Sequence, residues 1–194
     1  GQDVRALVAA AERAAMLTRQ LLAVSRKDPV AVTPLNLTDV IRGVEATLAR
    51  MLVTSIQVKT VLPNDIGPVM ADPLQLEQVI VNILINAVDA IHDDPLAVRK
   101  FGDRGKRRQI SVSTAADSGS ILIRIRDNGK GIGGEDMAKV FEPFFTTKRV
   151  GEGTGLGLWV SYGIIKSFQG DITLESTPGE GSSFEISLPV NPEV

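Results

Sequence analysis

The chain has 194 residues, of which 43% are hydrophobic, and a formal net charge of −2. This length suits one compact domain with an appendage, or two small domains, and the charge gives no overall basic surface for nucleic acid. The absence of cysteine excludes disulfides, thiolate metal ligands and a cysteine nucleophile. The single histidine, His92, excludes a multi-histidine metal site within the chain.

The hydropathy pattern argues against a membrane segment. No apolar run approaches the roughly 18 residues of a membrane span, and no stretch resembles a signal peptide. We therefore expect no membrane contact within this chain, and a cytoplasmic location is compatible with the composition.

Residues 2–27 are predicted to form one long helix, because apolar or small side chains recur at three- to four-residue spacing. Such a helix is about 40 Å long. It could pack on the main domain or pair with other helices, and its many alanines favour a helical bundle. Pro29 and Pro34 then mark a linker. We expect a helical segment at 1–28, a linker at 29–33, a mixed α/β domain at 34–190 and a tail at 191–194.

The mixed domain is predicted from a change of periodicity after Pro34. Thr38 is the expected cap of its first helix, which runs to about residue 52, and Asp72 with Pro73 starts a second one. Further helices are predicted at 135–141 and 158–168. Strands or extended segments are predicted at 35–37, 55–62, 68–71, 109–115, 120–126, 171–175 and 184–188.

The helix over residues 75–91 is apolar on most of its circumference, which predicts that it is buried. Its polar residues Gln78, Asn82, Asn86 and Asp89 fall on one stripe within about 80° of arc. A solvent-facing stripe is one interpretation, but such a stripe would favour charged residues over asparagine. The other interpretation is that Asn82, Asn86 and Asp89 face a polar ligand, such as a hydrated metal with its phosphates.

A glycine-rich loop, DNGKGIGG, follows the predicted strand at 120–126. Asp127 at the strand end could accept the exocyclic amine of a purine, and Gly129 and Gly131 would leave room for a planar base. A simple turn after a strand would show the same pattern.

A second glycine cluster, with glycine at 151, 153, 155 and 157, precedes the last predicted helix. Free amides at a helix N-terminus bind phosphate, although the P-loop and Rossmann patterns are both missing. Phe141, Phe144 and Phe145 either anchor a mobile lid beside these glycines or belong to the core. The basic connection at 92–109 is expected to be a solvated loop, with a partner contact left open.

Taken together and in this order, the motifs resemble the catalytic ATP-binding domain of sensor histidine kinases, in the GHKL superfamily. The resemblance covers about residues 34–189. The form PFFTTK resembles the corresponding motif of the subgroup that contains nitrogen-regulatory and dicarboxylate sensors. LTRQLLAVSRK resembles the second helix of the dimerisation and phosphoacceptor domain. The matching motifs are Asn82-x-x-x-Asn86-Ala87-x-Asp89, Asp127-x-Gly129-x-Gly131, Phe141-Glu142-Pro143-Phe144-Phe145, Gly153-Thr154-Gly155-Leu156-Gly157-Leu158 and Gly181-Ser182-x-Phe184-x-x-x-Leu188-Pro189, with Ser182 where the family usually has threonine.

The resemblance implies a two-layer α/β (α+β) sandwich, with a mixed sheet covered by helices on one face and one long helix in front. It implies ATP and Mg²⁺ as cofactors and γ-phosphoryl transfer to a histidine. Asn86 would ligate Mg²⁺, Asn82 and Asn86 would be the catalytic residues, and Asp127 would hold the adenine amine. The implied ATP-binding residues are Asn86, Asp89, Asp127, Gly129, Gly131, Ile132, Lys148, Gly153, Thr154, Gly155, Leu156, Gly157 and Ser182.

Two alternatives remain open beside the kinase. A GHKL ATPase would hydrolyse ATP, but its members place a glutamate where this chain has Asn82, and an amide cannot act as a base. A non-catalytic module that only dimerises through residues 2–27 would not need intact nucleotide motifs.

The family's phosphoacceptor histidine lies on a helix that precedes residues 2–27, so we expect a fragment of a larger protein. Its own dimerisation domain, a second copy and a response regulator are the implied partners, with no nucleic acid. His92 follows Asn86 by six residues, about 120° around the helix. It is therefore not expected to be the acceptor.

Overall fold

The computed structural model describes residues 31–51, 56–63, 67–93, 108–148 and 153–190, with backbone alone for 46–51. All the described residues belong to one compact unit, Ala31–Val194. The predicted helix at 2–27, most of the basic connection and the tail at 191–194 lie outside the described residues.

The described residues form seven strands and four helices. The strands are β1 (Thr33–Leu35), β2 (Gln57–Val61), β3 (Val69–Ala71), β4 (Gln109–Asp117), β5 (Ser120–Asp127), β6 (Asp171–Thr177) and β7 (Gly181–Pro189). The helices are α1 (Leu37–Met51), α2 (Pro73–His92), α3 (Gly134–Met137) and α4 (Gly157–Ser167).

Five strands make one mixed sheet in the order β2-β4-β5-β7-β6. β2 and β4 are parallel and the other neighbours are antiparallel. The parallel pair follows from the connection between them, because a chain that crosses over through a helix returns in the same direction. The β4–β5 hairpin turns at Ser118 and Gly119, which both have positive φ as tight hairpins require. β1 and β3 form a separate antiparallel pair.

Alternation along the strands separates the two faces of the sheet. In β5 the inward residues Ile121, Ile123 and Ile125 are buried, whereas Arg124 and Arg126 are exposed on the opposite face. α2 packs on the apolar face, and α1 and α4 pack against α2. The predicted sandwich, a mixed sheet with helices on one face, is confirmed.

α2 is the central element of the core. Asp72 caps its N-terminus, as predicted, by accepting hydrogen bonds from the amides of Leu74 at 2.9 Å and Gln75 at 3.1 Å. Pro73 occupies the first turn, where its missing N–H leaves no intrahelical bond unmade. Eight residues of α2 are buried, namely Leu76, Val79, Ile80, Asn82, Ile83, Leu84, Ala87 and Ile91.

The expectation that no apolar stretch reaches the length of a membrane span was wrong for α2. By length and composition alone it passes as a span, with 20 residues and a mean hydropathy of 1.4. The core explains this composition, because a helix that packs against a sheet on one side and helices on others needs apolar residues nearly all round.

Several predicted boundaries also differ, among them the following three. The first strand is Thr33–Leu35 rather than 35–37, because Asn36 turns the chain and caps α1 by accepting the Thr38 amide at 2.9 Å. Asn36 therefore takes the role expected of Thr38. α3 ends at Met137 rather than 141. β7 begins at Gly181 rather than 184, since pairing with β6 overrides the weak strand preference of glycine and serine.

Candidate functional site

An open cleft lies between α2, the loop that follows β5 and the segment after α3. Together with the open space at its mouth it measures about 730 Å³. Its walls are Asn86, Asp89, Ala90, Asp93, Asp127, Lys130, Gly131, Ile132, Val140, Phe145, Thr146, Thr147, Lys148, Leu158, Ser182 and Phe184. Seven predicted site residues therefore meet here, namely Asn86, Asp89, Asp127, Gly131, Ile132, Lys148 and Ser182.

Asp127 ends β5 at the inner wall of the cleft and is only 3% exposed. Its Oδ1 accepts the Gly129 amide at 2.8 Å and the Ser182 amide at 3.3 Å. Burial raises the pKa of this carboxyl, and hydrogen bonds from the backbone amides of Gly129, Ser182 and Asp127 itself oppose that rise. The Gly129 and Ser182 amides both donate to Oδ1, which leaves Oδ2 to accept a hydrogen bond from a ligand.

The glycines of this loop serve chain packing. The Lys130 amide donates to the Ala90 carbonyl at the end of α2, at 3.0 Å. A Cβ at Gly129 would lie 2.5 Å from the Ala90 carbonyl carbon, so a side chain would push the loop off α2. Gly131 has φ +68, and a Cβ there would lie 2.1 Å from the Thr177 carbonyl oxygen. These contacts by themselves require glycine at both positions, and the expected room for a base stays a prediction.

Asn86 and Asp89 lie on α2 and face the cleft, and Lys148 reaches both from the opposite wall. The Lys148 ammonium is 2.5 Å from Asp89 Oδ2 and 3.4 Å from Asn86 Oδ1. The side chains of Lys148 and Asp89 keep 25% and 40% of their exposure. An amide oxygen and a carboxylate thus jointly hold a cation in the cleft.

Asn82 is placed elsewhere. It is 4% exposed, and its amide donates to the Gly157 carbonyl and to Ser161 Oγ, both at 3.3 Å. The polar stripe of α2 therefore has two functions. Its first asparagine joins α2 to α4, and the residues one and two turns later enter the cleft.

The second glycine cluster lies beside the cleft walls rather than in them. Gly155 has φ +66, and a Cβ there would lie 2.3 Å from the Phe144 carbonyl carbon. Gly157 begins α4. Gly153, Thr154 and Leu156 are half-buried nearby. Their role in holding phosphates stays a prediction, as residues 149–152 lie outside the described part of the chain.

The three phenylalanines have three different environments. Phe145 lines the cleft. Phe141 packs beside Tyr162 of α4, with ring centroids 5.6 Å apart. Phe144 is 73% exposed and has φ +66, a backbone conformation unusual for a bulky residue. Neither interpretation made from the sequence describes all three.

Sequence reasoning missed several walls of the cleft. Asp93 pairs with Lys130 at 3.0 Å across its edge. Asp93 comes four residues after Asp89, so continuing the helical spacing past the predicted end of the stripe would have found it. Apolar walls such as Val140, Leu158 and Phe184 carry no such signal, because any core residue looks the same in sequence.

The sequence analysis also missed Ser176, because this residue lies behind the cleft wall and not in it. Its Oγ accepts the Ile132 amide at 2.8 Å. It lies 3.0 Å from the Gly181 carbonyl oxygen and 3.0 Å from Ser182 Oγ. Ser176 and Ser182 are partners in the β6–β7 register, so their side chains share the face that borders the cleft.

A mixed sheet with helices on one face, and a cleft between its longest helix and a glycine loop, define the GHKL type of nucleotide-binding domain. The family of histidine kinase-, DNA gyrase B- and HSP90-like ATPases matches residues 71–192, more than half of the chain, and the chain belongs to this family.

Within this family, the individual relatives that match the chain include sensor kinases. Sensor kinase CckA of Brucella abortus is 40% identical over 195 residues, covering 96% of this chain and 20% of that protein. The signal transduction histidine-protein kinase AtoS of Escherichia coli is 43% identical over 154 residues, covering 77% of this chain and 23% of that protein. This chain thus spans about a fifth of the length of these curated relatives.

Among solved structures, the catalytic domain of histidine kinase ThkA superposes with a TM-score of 0.64 at 29% identity. The superposition covers 84% of this chain and 97% of that one. The resemblance to the catalytic ATP-binding domains of sensor histidine kinases is confirmed.

Proposed function

We propose that this chain supplies the catalytic step of a two-component sensor kinase, the transfer of the γ-phosphoryl group of Mg·ATP to a histidine on another domain. The observation that carries the proposal is the pairing, in one cleft, of a buried acceptor at Asp127 with the cation-holding pair Asn86 and Asp89. A purine amine fits the first, and a metal with its phosphates fits the second.

The residues present fit Mg²⁺. The Asn86 amide oxygen and the Asp89 carboxylate already surround a positive charge, that of Lys148. Mg²⁺ takes oxygen ligands and is usually held by one or two protein groups together with phosphates. Asn86 would hold the ion, with Asp89 close by. When bound, Mg²⁺ neutralises negative charge on the phosphates as the γ-phosphoryl group departs.

The chain's own residues contribute by binding and positioning. Asp127 Oδ2 orients the base, and the Gly131 and Ile132 backbone forms the adjoining wall. Lys148 supplies a positive charge on the phosphate side once it leaves Asp89. In phosphoryl transfer such fixed positions and charges provide most of the rate enhancement.

The acceptor histidine comes from elsewhere. His92 is exposed at the C-terminal end of α2, one residue before the Asp93 that lines the cleft edge. It belongs to the same rigid wall as Asn86 and cannot move in line with the γ-phosphate. We therefore infer that the protein's own dimerisation domain presents the histidine, in a homodimer located in the cytoplasm. A response regulator would then receive the phosphoryl group.

ATP hydrolysis is less well supported. Water must lose a proton to attack phosphate, and the position one turn before Asn86 is Asn82, an amide that cannot accept it. Its amide group is also directed at Gly157 and Ser161 of α4. A histidine nitrogen attacks through its lone pair and needs no such base.

Isothermal titration of the chain with an ATP analogue, with and without Mg²⁺, tests the binding step. We expect Asn86→Ala to lose the Mg²⁺-dependent part of binding and to keep weak metal-free binding. Gln75→Ala is the matched control, an amide on the same helix about 16 Å away. Equal enhancement by Mg²⁺ in Asn86→Ala and the parent would show that Asn86 does not hold the metal.

Incubation with γ-labelled ATP tests the transfer step. We expect no acid-labile label on the chain alone, and label on an added helical hairpin that carries a phosphoacceptor histidine. Label on the isolated chain that His92→Ala abolishes would refute the assignment of the acceptor.

A further inference from the structure

The wall beside Asp127 contains a hydroxyl pair whose proton positions follow from its neighbours. The Ile132 amide can only donate, so it occupies one lone pair of Ser176 Oγ at 2.8 Å. The Gly181 carbonyl can only accept, so the 3.0 Å contact with it uses the single hydroxyl proton of Ser176. The remaining lone pair of Ser176 faces Ser182 Oγ at 3.0 Å.

Ser182 must then be the donor in the pair. The three contacts of Ser176 hold at the same time only when the Ser182 hydroxyl proton points at Ser176. Ser182 is 4% exposed and lines the cleft. With its proton turned away, its oxygen offers the cleft lone pairs alone.

We propose that Ser176 is a specificity-determining positioning residue, which makes Ser182 an obligate acceptor and so selects a nucleobase that presents an amine rather than a carbonyl at this wall. Ser182 and Asp127 Oδ2 together form an acceptor-only edge. The two N–H groups of a 6-aminopurine match this edge, whereas a 6-oxopurine sets its carbonyl oxygen against two acceptors. The inference rests on the proposed function, because it concerns the base of the same nucleotide.

Removal of the Ser176 hydroxyl releases the Ser182 proton. In Ser176→Ala the Ser182 hydroxyl turns freely and can donate to a carbonyl at purine position 6. The free-energy penalty for binding a 6-oxopurine at this wall then falls. Asp127 and the fold of the strand pair are unchanged. A hydroxyl behind the wall therefore alters base selectivity without contacting the base.

The test compares the affinities of ATP and inosine triphosphate, which differ in the amine or carbonyl at purine position 6 and the accompanying N1 proton. Titrations use the 194-residue chain as parent, Ser176→Ala, Ser182→Ala and the double variant. We expect Ser176→Ala to lower the preference for ATP over inosine triphosphate by about 2- to 10-fold, the effect of one hydrogen bond. Ser182→Ala lowers it similarly, and Ser176→Ala has no further effect in that background.

Controls separate this action from a loss of structure. Ser176→Thr keeps the hydroxyl and should keep the preference, and Ser183→Ala, one residue after Ser182 and on the opposite face of β7, should leave it unchanged. If Ser176→Ala does not fold, Ser176→Cys replaces it, since a thiol is a weak hydrogen-bonding group of similar shape.

Two results would overturn the inference. One is an unchanged preference in Ser176→Ala. The other is that Ser176→Ala lowers the preference for ATP equally in the parent chain and in Ser182→Ala. That result would mean that Ser176 acts through Ile132 instead. A parent chain that binds neither nucleotide would refute the proposed function itself.

Discussion

The two ends of the cleft are built differently. At the base end, Asp127 is 3% exposed and its loop is tied to α2, β6 and β7 by hydrogen bonds. At the phosphate end, Lys148 meets Asp89 through flexible, partly exposed side chains, and nearby Phe144 is 73% exposed. The base end is therefore formed before ligand arrives, whereas the phosphate end is held by contacts that a nucleotide must replace. Substitutions that disturb the loop contacts at the base end should affect folding and recognition together, whereas those at the phosphate end should affect recognition alone.

The largest effect is expected from a side chain at Gly131. Gly131→Ala forces a positive φ on alanine and places its Cβ 2.1 Å from the Thr177 oxygen. We expect a loss of about 2–4 kcal/mol in the free energy of unfolding, measured by urea denaturation. Gly133→Ala is the matched control, because nothing lies within 4 Å of a Cβ there. Equal stability of the two variants would mean that the loop is not pressed against β6.

The second effect concerns recognition at the base end. Asp127→Asn keeps an oxygen at the Oδ1 position for the Gly129 and Ser182 amides. It replaces the free Oδ2 acceptor by a donor. We expect adenine nucleotide affinity to fall about 10- to 150-fold, the equivalent of one charge-assisted hydrogen bond. Calorimetric titration measures it, and unchanged affinity in a folded variant would refute the role of Asp127.

At the phosphate end we expect a gain. Lys148 holds the oxygens of Asn86 and Asp89 that a Mg²⁺ complex needs, so its removal spares the nucleotide a displacement. Lys148→Met should bind Mg·ADP about 1.4- to 5-fold more tightly, the value of a partly exposed ion pair. Mg·ATP should gain less, because its γ-phosphate loses a positive partner. Lys139→Met, which removes an exposed charge elsewhere in the segment, is the control. Weaker Mg·ADP binding by Lys148→Met would contradict this competition.

The last expected effect is a pH dependence of stability. Burial raises the pKa of Asp127 above its usual 3.8, and the Gly129 and Ser182 amides offset part of the rise. The folded chain therefore keeps this proton to higher pH than the unfolded chain. As pH rises from below 3.8 through the raised pKa, the parent should lose stability relative to Asp127→Asn. The loss is about 1.4 kcal/mol for every pH unit between the pKa values of the unfolded and folded chains. Urea unfolding of both proteins across that window measures the difference, and the opposite slope would show a lowered pKa.

The sequence was sufficient for the parts that local chemistry determines. Hydrophobic periodicity located the central helix and the strand pair of the β4–β5 hairpin, and Asp72 with Pro73 marked the start of α2. The order of the motifs was specific enough to indicate the family. Asn86, Asp89 and Asp127 were each predicted at the site from residue type and spacing, and the fold places all three in the cleft.

Other features depend on contacts between segments that are distant in sequence. Asn82 and Asn86 lie on one helical stripe, yet only the packing of α4 against α2 makes the first a structural link. Gly129 and Gly131 were predicted to give room to a base, and the approach of Ala90 and Thr177 adds a separate requirement for glycine at both positions. Ser176 is an ordinary strand residue until β7 places Ser182 beside it. Local propensity and residue spacing depend only on neighbouring residues in the sequence. The surroundings of a side chain depend on which distant segments pack against it, and only the tertiary structure determines that.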